Sequence, residues 1–287
     1  MGRRSGLAEA GAQALSNPAA RNAIAQHVED WISTAITVAP AGHIPLLFLS
    51  GAQGSGKSTA LRQAAASLTA PVAIASLDDF YLTRTARAHL ANTISPLLAT
   101  RGPPGTHDLP LLRATLASLR AASDRSATSI PVFDKLADDR AASSAWRVFQ
   151  GRPAAIVIEG WLMGALPDAT APSSAPLNEV EAQDPAGTWR RFQEEALAGG
   201  YARLWDEADG FFHILAPGFD TVLGWRLEQE ASLWQARGTP MPEDRRAWAA
   251  RFIQYYERIT RRMLEGGRRP GTDLLIDGNR CGLPPPP

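Results

Sequence analysis

The chain has 287 residues, 45% of them hydrophobic, and its 29 Lys and Arg balance 29 Asp and Glu, so the formal net charge is zero. This length suffices for one large α/β domain or two small ones, and the lack of a basic excess argues against a non-specific nucleic-acid binder. A single cysteine, Cys281, excludes an intrachain disulfide and fits a reducing compartment. Because no apolar run has the length of a signal peptide or a membrane span, we expect a cytoplasmic protein with no membrane partner. The oligomeric state cannot be inferred.

Short apolar runs alternate with helical patterns along the chain. A first helix is predicted at 19–39, within an N-terminal helical segment, 1–44. Strands are then predicted at 45–50, 71–79, 154–160, 211–217 and 273–277, and helices at 59–68, 109–122, 220–237 and 243–265. This alternation is typical of an α/β fold with a mainly parallel five-stranded sheet and helices on both faces.

Two segments depart from that alternation. Residues 165–187 are rich in Pro, Ala and Ser, which predicts a long insertion that leaves the sheet. Residues 281–287 end in four prolines and are expected to form a tail. The arginines of 245–262 are expected to form a solvated helix face.

The stretch GAQGSGKST, residues 51–59, matches the phosphate-loop pattern G-x-x-x-x-G-K-S and lies between a predicted strand and a helix. Lys57 would reach the β- and γ-phosphates of a nucleotide, and the Ser58 hydroxyl would ligate Mg²⁺. The pattern therefore predicts a P-loop NTPase fold that binds a nucleotide and Mg²⁺, but alone it does not distinguish a kinase from a GTPase, a motor or a transporter ATPase. The chain has no N-K-x-D stretch for guanine recognition and no L-S-G-G-Q-like stretch of transporter ATPases. The residues predicted to hold the nucleotide are Gly51, Gly54, Ser55, Gly56, Lys57, Ser58 and Thr59.

Carboxylates follow two further strands. Asp78 and Asp79 end the second strand, and Glu159 ends the third. Ligands of parallel sheets bind at the carboxyl ends of the strands, so these side chains and the phosphate loop are predicted to share one site. Phosphoryl transfer to an alcohol needs a base and a carboxylate near the metal. The alternative is that the aspartate pair only caps a helix before two core aromatics.

Six motifs together resemble one enzyme family. GAQGSGKST, LDDFYLT, TRGPPGTHD, PVFDKLADDR, VIEGWLMG and GWRLEQE occur in an order similar to that of the plant- and fungal-type D-glycerate 3-kinases and their bacterial relatives. These enzymes are P-loop kinases related to uridine kinase, phosphoribulokinase and pantothenate kinase. The resemblance covers 45–280, expected to be the kinase domain. It implies a kinase that transfers the γ-phosphoryl group of ATP to a hydroxyl of a small hydroxy acid. The reaction that it implies most directly is the conversion of D-glycerate to 3-phosphoglycerate.

The resemblance also implies residue roles. Asp78 corresponds to the catalytic base, and Glu159 to a carboxylate that holds Mg²⁺ together with Ser58 and Asp78. Arg226 and Arg237 correspond to arginines of a lid, which with the following helix spans 219–265. Lys57, Asp78, Glu159, Arg226 and Arg237 are thus the predicted catalytic residues, and the predicted acceptor site comprises Asp79, Tyr81, Arg101, His107, Phe133, Asp134, Lys135 and Arg140.

The acceptor side is rich in cations, as an acidic substrate requires. Lys135 stands out because it and Lys57 are the only lysines among the 29 basic residues. Arg101 could equally be a surface charge, and His107 could order a turn. The histidine that follows the aromatic–Asp pair in uridine kinases is missing. A kinase of a nucleoside, pantothenate or a sugar phosphate stays open as an alternative, as does a non-catalytic nucleotide-binding regulatory protein.

Overall fold

The computed structural model describes residues 23–235 and 238–283. Its strands are β1 (Leu46–Gly51), β2 (Val72–Ser76), β3 (Ala127–Ile130), β4 (Phe133–Asp134), β5 (Asp139–Arg140), β6 (Arg147–Gln150), β7 (Ala155–Gly160), β8 (Gly210–Leu215) and β9 (Thr272–Leu275). Its α-helices are α1 (Ala23–Val38), α2 (Lys57–Ser67), α3 (Arg84–Thr93), α4 (Leu109–Arg120), α5 (Thr188–Ala196), α6 (Ala202–Trp205), α7 (Phe219–Gln235), α8 (Glu243–Gln254) and α9 (Glu257–Leu264).

Five strands form one parallel sheet in the order β2-β7-β1-β8-β9. Successive strand residues point to opposite faces, and aromatic side chains mark both. On one face Phe48 packs against Trp205 of α6, with ring centroids 5.3 Å apart. On the other, Phe212 packs against Trp31 of α1 at 5.4 Å. The predicted α/β fold, with five parallel strands and helices on both faces, is confirmed.

The register aligns the carboxyl ends of the three strands that lead to the predicted site. Glu159 of β7 pairs with Leu49 of β1 and with Ser76 of β2. β2 ends at Ser76, before the expected 79, because Ser76 begins a capping box: its hydroxyl accepts the Asp78 amide and Asp79 accepts the Ser76 amide. The aspartates therefore lie on a 3₁₀ turn, Leu77–Phe80, rather than on the strand.

Two small antiparallel pairs between α4 and β7 were not predicted. β3 pairs with β6, and β4 pairs with β5. The second pair closes a hairpin, here called the 133–140 hairpin, in which Phe133 lies opposite Arg140. These strands are only two to four residues long, so they leave little periodic signal in the sequence.

Ion pairs connect the predicted insertion, residues 165–187, to helices α5 and α9. Glu181 in the insertion binds Arg258 of α9, with Arg258 Nε 2.8 Å from Oε1. Arg190 of α5 binds Asp184 at 3.2 Å. Since the side chains of Arg258 and Arg262 are only 17% and 15% exposed, the expectation of a solvated arginine face at 245–262 is wrong for these two residues.

The predicted helix 243–265 is two helices, α8 and α9, separated by Tyr255 and Tyr256. The break lets Tyr256 turn inward, where it is buried and its hydroxyl donates to the Arg101 carbonyl at 2.8 Å. The starting residues of the predicted first helix, 19–22, and the prolines 284–287 lie outside the described residues. Across the described part of the chain, we find no helix with the length and apolar character needed to span a membrane.

Candidate active site

The phosphate loop connects β1 to α2 through two glycines with left-handed backbone. Gly54 has φ +82° and Gly56 has φ +88°, a region that side chains with a Cβ avoid. Gly56 is the N-cap of α2, and no side chain caps that helix. The first turn of α2 therefore presents backbone amides and a positive dipole end, the arrangement that binds phosphate.

Ser58 and Lys57 both face Glu159 across the loop. The Ser58 hydroxyl donates to Glu159 Oε1 at 2.8 Å, and Lys57 Nζ lies 3.8 Å from Oε2. A hydroxyl and a carboxylate are oxygen ligands that suit Mg²⁺, which takes its remaining ligands from water and phosphates. In residues 23–235 and 238–283 no group of three or more His, Cys, Asp and Glu side chains is arranged to hold a metal. The donor set thus fits an ion shared with a nucleotide.

Asp78 lies beside this pair, and both its carboxylate oxygens accept hydrogen bonds. The Tyr81 hydroxyl donates to Oδ1 at 2.6 Å, and Lys135 Nζ donates to Oδ2 at 2.7 Å. Burial raises the pKa of Asp78, but the charge and hydrogen bond of Lys135, the Tyr81 hydroxyl and the Lys57 charge outweigh it, so its pKa lies well below the usual range. These contacts therefore keep the Asp78 carboxylate ionised.

Asp79 points elsewhere. Its Oδ2 accepts the Ser76 amide at 3.2 Å and Arg147 Nη2 at 2.7 Å. Burial raises the pKa of Asp79, while the Arg147 charge opposes that rise. Of the two aspartates, Asp78 alone lines the cavity described next, and Asp79 lines a separate depression with Arg147 and Arg62. The alternative considered from the sequence was that the aspartate pair only caps a helix. The structure shows this capping role for the side chain of Asp79 but not for that of Asp78.

A polar cavity of about 220 Å³ joins the loop, the carboxylates and helix α7. The predicted site residues among those lining it are Gly54, Lys57, Ser58, Asp78, Tyr81, Arg101, Lys135, Glu159 and Arg226. The sequence did not predict six others: Gln53, Ser76, Trp161, Gln229, Phe252 and Tyr256. Trp161 and Gln229 lie within the motifs VIEGWLMG and GWRLEQE, so those motifs were the available signal.

Two of the predicted acceptor-site cations, Arg101 and Lys135, contact or belong to the 133–140 hairpin. Asp138, in this hairpin with φ +53°, forms ion pairs with Arg101 and with the buried Arg87. The Arg101 guanidinium lies over the Phe133 ring, 5.5 Å from its centroid. Lys135 extends from the same hairpin to Asp78, whose charge raises the pKa of Lys135. Both predicted acceptor cations that line the cavity are thus paired with carboxylates.

Four other predicted acceptor residues do not line the cavity. Phe133 packs edge-on against Tyr81, with centroids 5.1 Å apart, and Arg140 binds Asp108 at 2.8 Å. Exposed Asp134 accepts the amides of residues 136 and 137 in its own hairpin. His107 is buried with Nδ1 2.5 Å from the Tyr201 hydroxyl, and burial lowers its pKa to about 4. The contacts of these four residues are thus with the turns and the hairpin around the cavity rather than with its interior.

Helix α7, the predicted lid helix, lines the cavity with Arg226 and Gln229. Arg226 bonds Glu230 at 2.5 Å and lies over the Phe252 ring at 5.4 Å, and burial lowers the pKa of Arg226 although Glu230 opposes this. A Cβ added to Gly54 would lie 2.5 Å from Trp225 Cβ, so α7 touches the phosphate loop. The other predicted lid arginine, Arg237, lies outside the described residues.

Comparisons with known proteins identify kinases. The chain is 34% identical over 204 residues to the uncharacterized kinase mug58 of Schizosaccharomyces pombe, covering 68% of this chain and 73% of that protein. It is 31% identical over 220 residues to the chloroplastic D-glycerate 3-kinase of Arabidopsis thaliana, covering 72% of this chain but 46% of that enzyme. No protein-family model matches.

A solved structure shares the fold. The D-glycerate 3-kinase of Cryptococcus neoformans superposes with a TM-score of 0.76 at 24% sequence identity, covering 92% of this chain and 98% of that one. At this identity the likeness concerns the fold, which extends over nearly the whole length of both proteins.

Proposed function

Because the chain belongs to the family of ATP-dependent P-loop kinases that includes these relatives, we propose that it phosphorylates D-glycerate, giving 3-phosphoglycerate and ADP. The observation that carries the proposal is the position of Asp78. This ionised carboxylate lines the same small cavity as Lys57 of the phosphate loop and two acceptor-side cations, Arg101 and Lys135. A base, a phosphate site and cations for an acid are the parts this reaction needs.

Glycerate is small and offers little apolar surface. Its binding must therefore come mainly from charge-assisted hydrogen bonds to its carboxylate and from hydrogen bonds to its hydroxyls. Arg101 and Lys135 are the proposed carboxylate ligands. Glycerol has the hydroxyls but lacks the carboxylate, so it should be a poor acceptor.

The proposed chemistry uses groups of the chain already described. The loop amides and Lys57 hold the triphosphate, and Ser58, Glu159 and Asp78 would hold Mg²⁺, which supplies charge neutralisation between phosphates. Asp78 accepts the proton of the acceptor hydroxyl as that oxygen attacks the γ-phosphorus. Arg226, reaching the cavity from α7, offsets the charge of the transferring group. We propose the same for Arg237.

The remaining predicted acceptor residues are proposed to act by shaping the wall. Tyr81 orients Asp78 through its 2.6 Å hydrogen bond. His107, Phe133 and Arg140 support Tyr81 and the hairpin. Asp134 and Asp79 hold backbone amides of the turns that carry Lys135 and Asp78. A cytoplasmic location and the absence of a nucleic-acid partner remain expectations from composition.

An ADP-release screen tests the proposal. ATP and Mg²⁺ would be supplied with D-glycerate, glycerol, uridine, pantothenate or a sugar phosphate, with Lys57→Ala as the blank. We expect fast release with D-glycerate, slow release with glycerol, and loss of both when EDTA removes the metal. Faster turnover of uridine or pantothenate would overturn the acceptor assignment and leave the kinase. ATP binding without turnover of any acceptor would favour the regulatory-protein alternative.

A further inference from the structure

The turn that follows β9, residues 277–281, brings an arginine side chain to the phosphate loop. Arg280 Nε donates to the Gly54 carbonyl at 2.6 Å. The peptide group that carries this carbonyl is also held at its other end, since the Ser55 amide donates to the Ala52 carbonyl at 3.2 Å. Glycine lets a neighbouring peptide group rotate more freely than other residues do. The two hydrogen bonds therefore fix the orientation of a peptide group that Gly54 alone would leave free to turn.

The same guanidinium connects the loop to helix α7. Its central carbon lies 5.0 Å from the centroid of the buried Trp225 ring, and Nη2 donates to a carboxylate oxygen of Glu228 at 2.9 Å. Trp225 is also the residue that a Cβ added to Gly54 would meet. Arg280 thus contacts both the loop and the helix that brings Arg226 to the cavity.

The backbone of Arg280 has a conformation that residues with a Cβ avoid. Its φ is +66°, and among residues 23–235 and 238–283 Asp138 is the only other non-glycine residue with a positive φ. The turn is stabilised by Asp277, whose carboxylate accepts two of its backbone amides at 2.9 and 2.8 Å. Such conformations persist where the surrounding structure holds them, and they are frequent at functional sites. Asp138 pairs with a cation of the cavity and Arg280 binds the phosphate loop, so both positions adjoin the site.

We propose that Arg280 is a positioning residue for the nucleotide: it holds the Gly54–Ser55 peptide group and α7 in the arrangement that receives the triphosphate of ATP. Gly54 lines the cavity but Arg280 does not, so Arg280 acts through the loop. A carbonyl that turned into the loop would bring its partial negative charge toward the anionic phosphates. The charge-assisted hydrogen bond from Arg280 holds that oxygen in place. The inference concerns the nucleotide and does not depend on which acceptor is phosphorylated.

The test compares two arginines that make the same kind of contact. Arg152 Nη2 donates to the Gly42 carbonyl at 2.6 Å, and Gly42 has φ +81°, but neither residue lines the cavity. Arg280→Met and Arg152→Met each remove the donor and keep a long side chain. Arg280→Gly also removes the contact, but it has no Cβ to oppose the positive φ, so the turn keeps its shape. Glu228→Gln removes only the charge of the partner on α7.

Binding is measured without any acceptor, using two probes together with Mg²⁺. A non-hydrolysable ATP analogue is titrated by calorimetry, and tripolyphosphate is measured by its competition with that analogue. Tripolyphosphate has the phosphates of ATP but neither base nor sugar. A residue that positions the loop must affect both probes, whereas a residue that contacted the base would affect the analogue alone. Urea unfolding midpoints establish that folded proteins are compared.

We expect Arg280→Met and Arg280→Gly to weaken the binding of both probes about tenfold, the low end of what a hydrogen bond from a charged group contributes. Arg152→Met and Glu228→Gln should change either affinity by no more than about twofold, because exposed charge pairs contribute little. Unchanged affinity in either Arg280 variant, or a loss with the ATP analogue alone, would overturn the proposal. So would an equal loss in Glu228→Gln or Arg152→Met.

Discussion

Replacing Gly54 with alanine tests the contact between the phosphate loop and helix α7. Gly54 has φ +82°, and the added Cβ would lie 2.5 Å from Trp225 Cβ and 3.4 Å from its Cγ. Cβ atoms do not approach other carbons this closely, so either the loop or Trp225 must move. Gly42 provides a matched control, because it has φ +81° and an added Cβ would meet nothing within 4 Å.

The expected cost has two parts. A left-handed backbone at a residue with a Cβ costs about 1–2 kcal/mol, and this part is common to Gly54→Ala and Gly42→Ala. Overpacking against Trp225 adds about 1–3 kcal/mol for Gly54→Ala alone. Replacing glycine by alanine also reduces the conformational entropy of the unfolded chain, and this effect is the same for both variants. The free energy of unfolding should therefore fall by about 2–5 kcal/mol in the first and by about 1–2 kcal/mol in the second.

Urea unfolding and ADP release with D-glycerate would be measured on the wild type and both variants. The protein could relieve the clash by tilting α7 away from the loop, which would spare stability. That movement would carry Arg226 out of the cavity, and turnover would then fall instead. Gly54→Ala must accordingly be worse than Gly42→Ala in at least one of the two measurements. Equal stability together with equal turnover would refute the contact.

Four further predictions use the same site. Lys57→Ala should abolish phosphoryl transfer with an unchanged unfolding midpoint, measured by ADP release and urea titration; full activity would contradict the phosphate-loop assignment. Asp78→Asn should keep ATP affinity by calorimetry but lower turnover by roughly 10²–10⁴; a loss of tenfold or less would move the role of base to another carboxylate. An ATP analogue with Mg²⁺ should slow amide hydrogen exchange in α7, read by mass spectrometry; unaltered exchange there would count against lid closure. Finally, burial lowers the pKa of His107 to about 4 from 6.5, so its stabilising effect is complete above pH 6.5 and is lost as the pH falls toward 4. Urea unfolding should detect a loss of about 2 kcal/mol between pH 7 and 5, and His107→Gln should flatten that dependence; an equally steep curve in the variant would assign it to other groups.

The sequence predicted those parts of the fold that depend on local pattern. Five apolar runs became the five parallel strands, since buried strands need nearly continuous apolar residues. The short antiparallel pairs escaped prediction because hairpin strands such as β4 and β5 are two residues long. The break at Tyr255 and Tyr256 escaped too, because the helical periodicity continues across it.

At the site, the sequence could indicate which residue types converge but not which way each side chain points. Asp78 and Asp79 are chemically identical neighbours, and only the capping box at Ser76 turns one into the cavity and the other toward Arg147. Tyr256 and Phe252 line the cavity from far along the chain. Their contribution depends on how α8 and α9 pack, which no local pattern encodes.

The rarity of lysine was the sequence feature that directed attention to Lys135, which lines the cavity. An arginine opposite Asp78 could hold both carboxylate oxygens through its planar fork, and a two-point pair of that kind is hard to displace. Lys135 makes a single contact, to Oδ2, from an exposed hairpin. Arginine serves the buried pairs that must persist, such as the one between Arg190 and Asp184. The single contact of Lys135 therefore binds Asp78 less firmly than an arginine fork would, and it is an exception in a chain whose 29 basic residues include only two lysines.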